Sequence, residues 1–229
     1  MRYQLSHRTS YSYASSVDSA HHIAHLWARE FVGQTVSAID IVAHPEPALA
    51  VRHLDYFGNH IGVYRIDQPH TRFDIEVRAT VEVRFPDPPP AAETPPWETL
   101  CAALIGDGFP APIEASEFIY ESPLVPIIPE LRAYGAESLK PGRPILEAAR
   151  EITSRIKKDF EYHPGATDIS TPLDQVFRGK AGVCQDFAHV MIAALRSHGL
   201  AAGYVSGYIR TVHSREERSE EHTSELQSH

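Results

Sequence analysis

The stretch Gly182-Val183-Cys184-Gln185-Asp186-Phe187-Ala188-His189 decides how this chain is read. Gly179 and Gly182 interrupt the structure before it. From Gln185 the apolar residues fall at Phe187, Val190, Met191, Ala194 and Leu195. That spacing predicts an amphipathic helix running to about Ser197, with Gly199 as its stop. Cys184 stands where loop becomes helix. First-turn N–H groups without acceptors and the positive end of the helix dipole favour a thiolate there, and the thiolate is the nucleophilic form of cysteine. The backbone N–H of Cys184 is a candidate oxyanion donor for the same reason. On the residues alone two readings stand: a small buried hydrophobe or a nucleophile. A nucleophile needs a general base, usually a histidine held by a third group. His189 follows five positions later at about 100° per residue, which carries it well round the helix from Cys184, so it is not that base.

Upstream of this helix the period of the pattern changes twice. From Thr71 to Phe85, apolar Phe73, Ile75, Val77, Ala79, Val81 and Val83 alternate with Arg72, Asp74, Glu76, Arg78, Thr80 and Glu82. Period two predicts a strand with one buried and one wet face, as in an antiparallel sheet. Tyr3/Leu5 and Tyr11/Tyr13 suggest a hairpin-like opening, and Ile61–Ile66 a strand after the Gly58-Asn59 turn. Pro86-Asp87-Pro88-Pro89-Pro90 with Pro95-Pro96 then forms a stiff linker, since such a run continues neither a central strand nor a helix. Beyond it, Trp97–Leu104 reads as a short helix in which Cys101 packs structurally beside Leu100 and Leu104. Pro144 starts a second helix to about Phe160, striped by Ile145, Ala148, Ala149, Ile152 and Ile156. Ala202–Thr211 alternates around Tyr204, Ser206 and Tyr208 and is expected to be a strand. The fold class is therefore α+β: an antiparallel β domain over 1–85, a linker over 86–96 and a mixed core over 97–217.

Composition excludes several functions. The chain of 229 residues carries 21 Lys and Arg against 30 Asp and Glu. Such a balance, with no basic patch, argues against nucleic-acid binding, which rests on phosphate neutralisation. No stretch approaches the length of a membrane span, and the start Met1-Arg2-Tyr3-Gln4-Leu5 lacks the apolar run of a signal peptide. Two cysteines are too few for a disulfide framework. A cytoplasmic protein is the expectation. His21, His22 and His25 invite a metal reading. On a strand, however, His21 and His25 lie about 13 Å apart, and no neighbouring carboxylate or cysteine completes a ligand set. They are expected to be solvent-facing or sheet-edge histidines, and no metal or cofactor is called for.

Four segments in order resemble the core of bacterial transglutaminase-like proteins. They are Tyr162-His163-Pro164-Gly165-Ala166-Thr167, Thr171-Pro172-Leu173-Asp174, the Gly182–His189 run, and Tyr204-Val205-Ser206-Gly207-Tyr208. The opening Tyr3–Tyr13 and the turn Asp55-Tyr56-Phe57-Gly58-Asn59 resemble the β-rich N-terminal region that precedes that core in the same family. The resemblance implies a papain-like Cys-His-Asp arrangement, with Cys184 as the nucleophile that opens a helix. It implies a cysteine enzyme acting on the amide bond of a protein or peptide carboxamide by acyl transfer through a thioester, whether as protease, amidase or transamidase. It places Tyr162, Gly165 and Thr167 in a loop near the cleft, as substrate wall or as plain turn. Asp186 reads as a helix-start residue, and Asp174 as a cap or anchor of the Thr171–Asp174 turn. The alternative function is a non-catalytic binding or scaffold protein using the β domain.

The resemblance breaks off after Thr211. The family's histidine, in a His-Ala-Trp-like strand, and the aspartate on the strand after it have no counterpart here. His213 lacks that context, and His163 is the other candidate. The run Arg218-Ser219-Glu220-Glu221-His222-Thr223-Ser224-Glu225-Leu226-Gln227-Ser228-His229 reads as the translation of a common sequencing adapter, identical in every residue. Residues 218–229 are accordingly expected to be non-native and to pack against nothing. Setting aside their one Arg and three Glu leaves 20 basic against 27 acidic residues. The chain, with the core cut short, is expected to be essentially inactive, because loss of the base costs such a unit several orders of magnitude in rate.

Overall fold

The computed structural model describes residues 1–106 and 113–208. The chain divides into two compact units, the first over Met1–Asp87 and the second beginning at Pro88. The architecture is α+β, as expected from the two periodicities.

The first unit is built from six strands: β1 (Arg2–Val17), β2 (Ala20–Ala24), β3 (Gln34–His44), β4 (Leu49–Leu54), β5 (His60–Ile66) and β6 (His70–Val83). They form two antiparallel three-stranded sheets, ordered β1-β6-β3 and β2-β5-β4. The alternation in β6 does what it promised. Phe73, Ile75, Val77, Ala79 and Val81 are buried, while the intervening face carries the ion pairs Arg72–Asp74 (2.8 Å) and Arg78–Glu76 (2.6 Å). The opening is not a hairpin. β1 is one strand of 16 residues, paired with β6 from Arg2↔Glu82 to Ser12↔Arg72. No Gly, Asn, Asp or Pro stands between Leu5 and Tyr11 to turn it, and the long partner supplies an unbroken ladder.

The histidines of β2 lie on a sheet edge, as expected, but only one of them faces solvent. His21 is exposed and lies on an edge strand, but His22 is half-buried, stacked on Phe73 with ring centroids 3.8 Å apart and planes 3° from parallel. The Tyr13 hydroxyl approaches His22 Nε2 (3.5 Å), and His70 meets the Tyr13 ring edge-on at 5.5 Å. His70 itself is buried; its Nδ1 bonds the Gln68 carbonyl (2.8 Å), leaving Nε2 without a protein partner. Burial pulls His22 below the usual imidazole range, with His70 and His21 adding to the effect. A histidine lowered on folding stabilises the native state above the ordinary value of about 6.5, and that contribution is lost as pH falls through the lowered folded value. Amide protection factors in β2 and β6, which are corrected for the intrinsic pH dependence of exchange, are therefore expected to fall on acidification from neutral pH. His22→Gln should flatten the dependence; an unchanged pH profile in that variant would refute the assignment.

The second unit holds α1 (Trp97–Leu104), α2 (Ile113–Ser116), α3 (Pro129–Ala136), α4 (Ile145–Asp159), β7 (Glu161–Tyr162), α5 (Leu173–Gly179), β8 (Ala181–Gly182) and α6 (Cys184–Arg196). Pro144 caps α4 and Phe160 ends it, so the stripe buries Ala148, Ile152 and Ile156. They pack with Leu131 and Tyr134 of α3, Val176 of α5, and Val190 and Ala193 of α6 in one core. Cys101 is half-buried against that core, its thiol donating to the His198 carbonyl (3.4 Å), a structural placement. Gly135 lets α3 and α6 approach: a Cβ there would stand 2.9 Å from the Ala194 carbonyl oxygen.

The expected strand after α6 is not formed over its described part. Residues 201–208 are irregular, and the rest of Ala202–Thr211 lies outside the described residues. Alternation supplies two faces, but a strand also needs a neighbour for its N–H and C=O groups. Among the described residues the backbone contact there is Ala202 N–H to the Phe118 carbonyl (3.1 Å). Buried Arg196 takes up part of the demand by donating to the carbonyls of Ala202 and Tyr120, each at 2.8 Å. Residues 218–229 also lie outside the described ones. No described helix is long and apolar enough to cross a membrane.

Candidate active site

α6 begins at Cys184, the residue expected to open it, and the Cys184 side chain is exposed. The approach to it is set by β7 and β8, two short parallel strands paired Glu161↔Ala181 and Tyr162↔Gly182. Glu161 N–H donates to the Lys180 carbonyl (2.8 Å) and His163 N–H to the Gly182 carbonyl (2.9 Å). The two strands therefore lay the Tyr162–Thr167 loop beside the start of α6.

Three residues fix that start. Asp186 is buried at 6% exposure, and its Oδ2 accepts from Val183 N–H (2.8 Å) and from the Thr167 hydroxyl (2.6 Å). This is the reciprocal half of a capping box, an acidic N3 residue reaching back to the N-cap N–H. Gly182 makes room for it, since a Cβ at that position would stand 2.6 Å from Asp186 Oδ2. The other half of the box is chemically impossible, because valine offers no acceptor to the first turn. The first helical bond runs from Phe187 N–H to the Val183 carbonyl (3.2 Å). Hence the N–H groups of Cys184, Gln185 and Asp186 have no acceptor among the described residues, and they stand beside an exposed thiol. Such an arrangement can receive an anion or a carbonyl oxygen acquiring negative charge.

The other residues singled out by sequence fall into place unevenly. Thr167 spends its hydroxyl on Asp186 and is an anchor of the helix start. Gly165 is exposed at φ +81°, a conformation that suits glycine, and a Cβ added there would meet nothing within 4 Å. Tyr162 is 61% exposed and its ring is open to solvent on the same loop. Asp174 does not anchor the Thr171–Asp174 turn; it lies in the first turn of α5 and pairs with Arg178 (3.3 Å). The anchor is Asp168, whose Oδ1 accepts from Ser170 N–H (2.8 Å), the Ser170 hydroxyl (2.6 Å) and the Thr171 hydroxyl (3.3 Å). Two-residue reach from an Asp side chain to the backbone is the Asx-turn signal, and it was present in Asp168-Ile169-Ser170.

Tyr204 is the neighbour that spacing alone did not assign. Its ring lies 5.4 Å from that of His189. Its hydroxyl is pushed above the usual phenol range by burial and, secondarily, by Cys184. His189 is pushed below the imidazole range by burial, against the opposing charge of Asp186. Among the described residues no side chain is hydrogen-bonded to the Cys184 sulfur, His163 and His189 included; His213 lies outside them. Nor do three or more His, Cys, Asp and Glu residues gather as a metal site among the described residues. A hollow of about 360 Å³ adjoins the start of α6, walled by Leu124, Ile128, Ile169 and Leu173 with Gln185 and His189.

Upstream, Lys180 steadies the same turn. It ends α5 in the left-handed region at φ +53°, where glycine would be less strained. Its ammonium lies 3.6 Å from the ring centre of Phe177, 4.4 Å from that of Phe160 and 5.3 Å from that of Tyr134. Phe160 in turn meets Phe187 of α6 at 5.7 Å. Lys180→Met is expected to destabilise this unit by about 1 kcal/mol, read as a lower melting temperature. Lys180→Arg, which keeps the cation, should melt close to the parent; equal melting of the methionine variant and the parent would remove the cation from the account.

Comparison with known proteins follows the same division. A family model described as the bacterial transglutaminase-like N-terminal region matches residues 3–82, and one for the transglutaminase-like superfamily matches residues 132–225. The second match continues past Arg218. Uncharacterized proteins of Mycobacterium bovis and Mycobacterium tuberculosis are 37% identical over 213 residues, covering 92% of this chain and 66% of theirs. One from Mycobacterium leprae is 29% identical over 212 residues, 91% of this chain and 71% of its own. The chain thus spans 66% of the length of the first of these relatives. A crystal structure described as a "Putative Cysteine Protease" from Cytophaga hutchinsonii superposes with a TM-score of 0.65 at 20% identity, covering 86% of this chain and 66% of that one. It shares the fold.

Proposed function

Because the chain belongs to the transglutaminase-like superfamily and carries its bacterial N-terminal region, we propose that it is the nucleophile-bearing part of a cysteine enzyme acting on amide bonds. The Cys184 sulfur attacks a carboxamide or peptide carbonyl, and the C–N bond breaks. The amine leaves carrying the proton that the thiol gives up, and the resulting thioester passes its acyl group to water or to a second amine. The observation that carries this reading is an exposed thiol at the first position of a helix whose opening N–H groups lack acceptors among the described residues. Those N–H groups would receive the carbonyl oxygen as it gains charge. The scheme calls for no metal or cofactor, and a protein or peptide carboxamide is the proposed substrate. A reducing, cytoplasmic setting belongs to the proposal, since the reaction needs the cysteines unpaired. The family's histidine and aspartate have no counterpart in this sequence, so the chain by itself is expected to turn over unactivated amides very slowly.

The test removes the need for a strong base. An activated ester such as p-nitrophenyl acetate should acylate the chain once, with the acetyl group found on Cys184 by peptide mass mapping. No acetyl on Cys184, or acylation undiminished in Cys184→Ala, would favour the other reading, a binding protein that works through its β unit.

A further inference from the structure

The hollow beside α6 is walled in part by two aliphatic side chains that the core does not use. Leu124 stands in a turn closed by Ser122 N–H to the Val125 carbonyl (3.1 Å) and Val125 N–H to the Ser122 carbonyl (2.9 Å), and buried Val125 anchors that turn in the core. Ile169 lies in the turn that the Asp168 carboxylate closes on Ser170 and Thr171. Neither turn depends on an aliphatic residue for its closure, yet Leu124 and Ile169 are 49% and 48% exposed. Both wall the hollow together with buried Leu173. From α6, Gln185 and His189 stand four positions apart, on one face of the helix, and wall the same hollow. Both are half-buried, and neither side chain forms a hydrogen bond among the described residues. Gln185 directly follows Cys184, so an extended chain held at the thiol reaches the hollow within about two residues.

The charged groups around the hollow are engaged with one another. Arg178 lies 3.3 Å from Asp174 and 3.9 Å from Glu130. Asp186 is buried and committed to Val183 N–H and the Thr167 hydroxyl, and Asp168 accepts within its own turn. Burial holds His189 below the imidazole range, against the charge of Asp186, so it is uncharged at neutral pH. The surplus of carboxylates repels an acidic side chain. A basic one would leave water for a wall of Leu124, Ile169 and Leu173, where Glu130 and Asp174 already hold Arg178. We propose that this hollow is a side-chain subsite of the acyl donor, selecting an uncharged apolar side chain next to the carbonyl that Cys184 attacks, while the Gln185 amide holds the donor's main chain. The acyl side is the part that stays on the protein through both halves of the transfer, as a thioester on the residue before Gln185. An apolar cavity of about 150 Å³ accepts benzene, so a hollow of about 360 Å³ has room for a side chain of leucine or phenylalanine size. The subsite rests on the acyl-transfer reading of Cys184, and the experiment separates the two.

The experiment treats the full chain with p-nitrophenyl esters of N-acetylglycine, N-acetylleucine, N-acetylphenylalanine and N-acetyllysine. The rate of single acylation is read from p-nitrophenol release above the spontaneous rate, with the acyl group located by peptide mass mapping. The leucine and phenylalanine esters should acylate Cys184 at least about tenfold faster than the glycine ester, and the lysine ester should gain no such advantage. Leu124→Asp and Ile169→Asp should each bring the leucine-to-glycine ratio down towards about one, while Ile169→Leu should keep it; circular dichroism and melting show that the variants fold. A ratio of about one in the parent, with Cys184 still acylated, overturns the subsite and leaves the acyl-transfer reading standing. Preference for the lysine ester, or a ratio indifferent to both aspartate variants, overturns it as well. So does a change of oligomeric state in those variants without a change in the ratio, which would make Leu124 and Ile169 a contact between copies of the chain. If no ester acylates Cys184, both readings fall together.

Discussion

Asp186→Ala is expected to lower the stability of the second unit by about 3 kcal/mol, a large loss for a single polar side chain. The carboxylate is buried and accepts from Val183 N–H and the Thr167 hydroxyl. Its removal leaves both donors without their acceptor and takes away the side-chain oxygen that satisfies the N-cap. Charge-assisted bonds of this kind are about twice as strong as neutral ones. Asp186→Asn retains one acceptor oxygen and should lose about half as much. Gly182→Ala attacks the same bond from the other side, because its methyl would occupy the space of Asp186 Oδ2. The check is thermal or urea unfolding of all three variants, with Thr167→Val as a milder fourth. Similar melting of Asp186→Ala and the parent would show that the carboxylate does not hold the helix start.

Alkylation by iodoacetamide is expected to select Cys184 over Cys101 by at least about a hundredfold in rate at neutral pH. Cys184 is exposed at the first position of α6. Cys101 is half-buried; burial raises its thiol above the usual range, with Glu98 adding to the rise, and its S–H is committed to the His198 carbonyl. Both accessibility and thiolate fraction therefore favour the same residue. Timed labelling with peptide mass mapping measures the two rates in one sample. Comparable rates at the two cysteines would contradict the surface placement of Cys184 and with it the nucleophile proposal.

What the sequence revealed depended on how one-sided each segment is. β6 was legible because its alternating positions are apolar on one face and charged or polar on the other. α4 and α6 were legible for the same reason at a period of about 3.6. β3 and β4 were not, because their faces are poorly contrasted: β4 is exposed along all six residues, and in β2, where a strand was expected, a histidine is half-buried in place of an aliphatic residue that would have announced a core. Residues 202–208 show the converse failure, a period-two pattern without a pairing partner among the described residues. At the site, Cys184 was visible from its place between glycines and an apolar stripe. The Gly182–Asp186–Thr167 contact was not, since nothing in spacing shows that a threonine nineteen positions upstream donates to Asp186. Tyr204 was visible only as part of a run and acquired a neighbourhood from the fold.

Val183 shows how this helix start is tuned. A serine, threonine, asparagine or aspartate there would cap α6 with its own oxygen, and such caps stabilise a helix by about 1 kcal/mol relative to residues without an acceptor. That gain would come from the N–H groups proposed to receive the substrate's oxygen. Position 183 is therefore a point where thermal robustness and turnover pull in opposite directions: selection for heat resistance alone should drift it towards a capping residue, and selection for acyl transfer should hold it apolar.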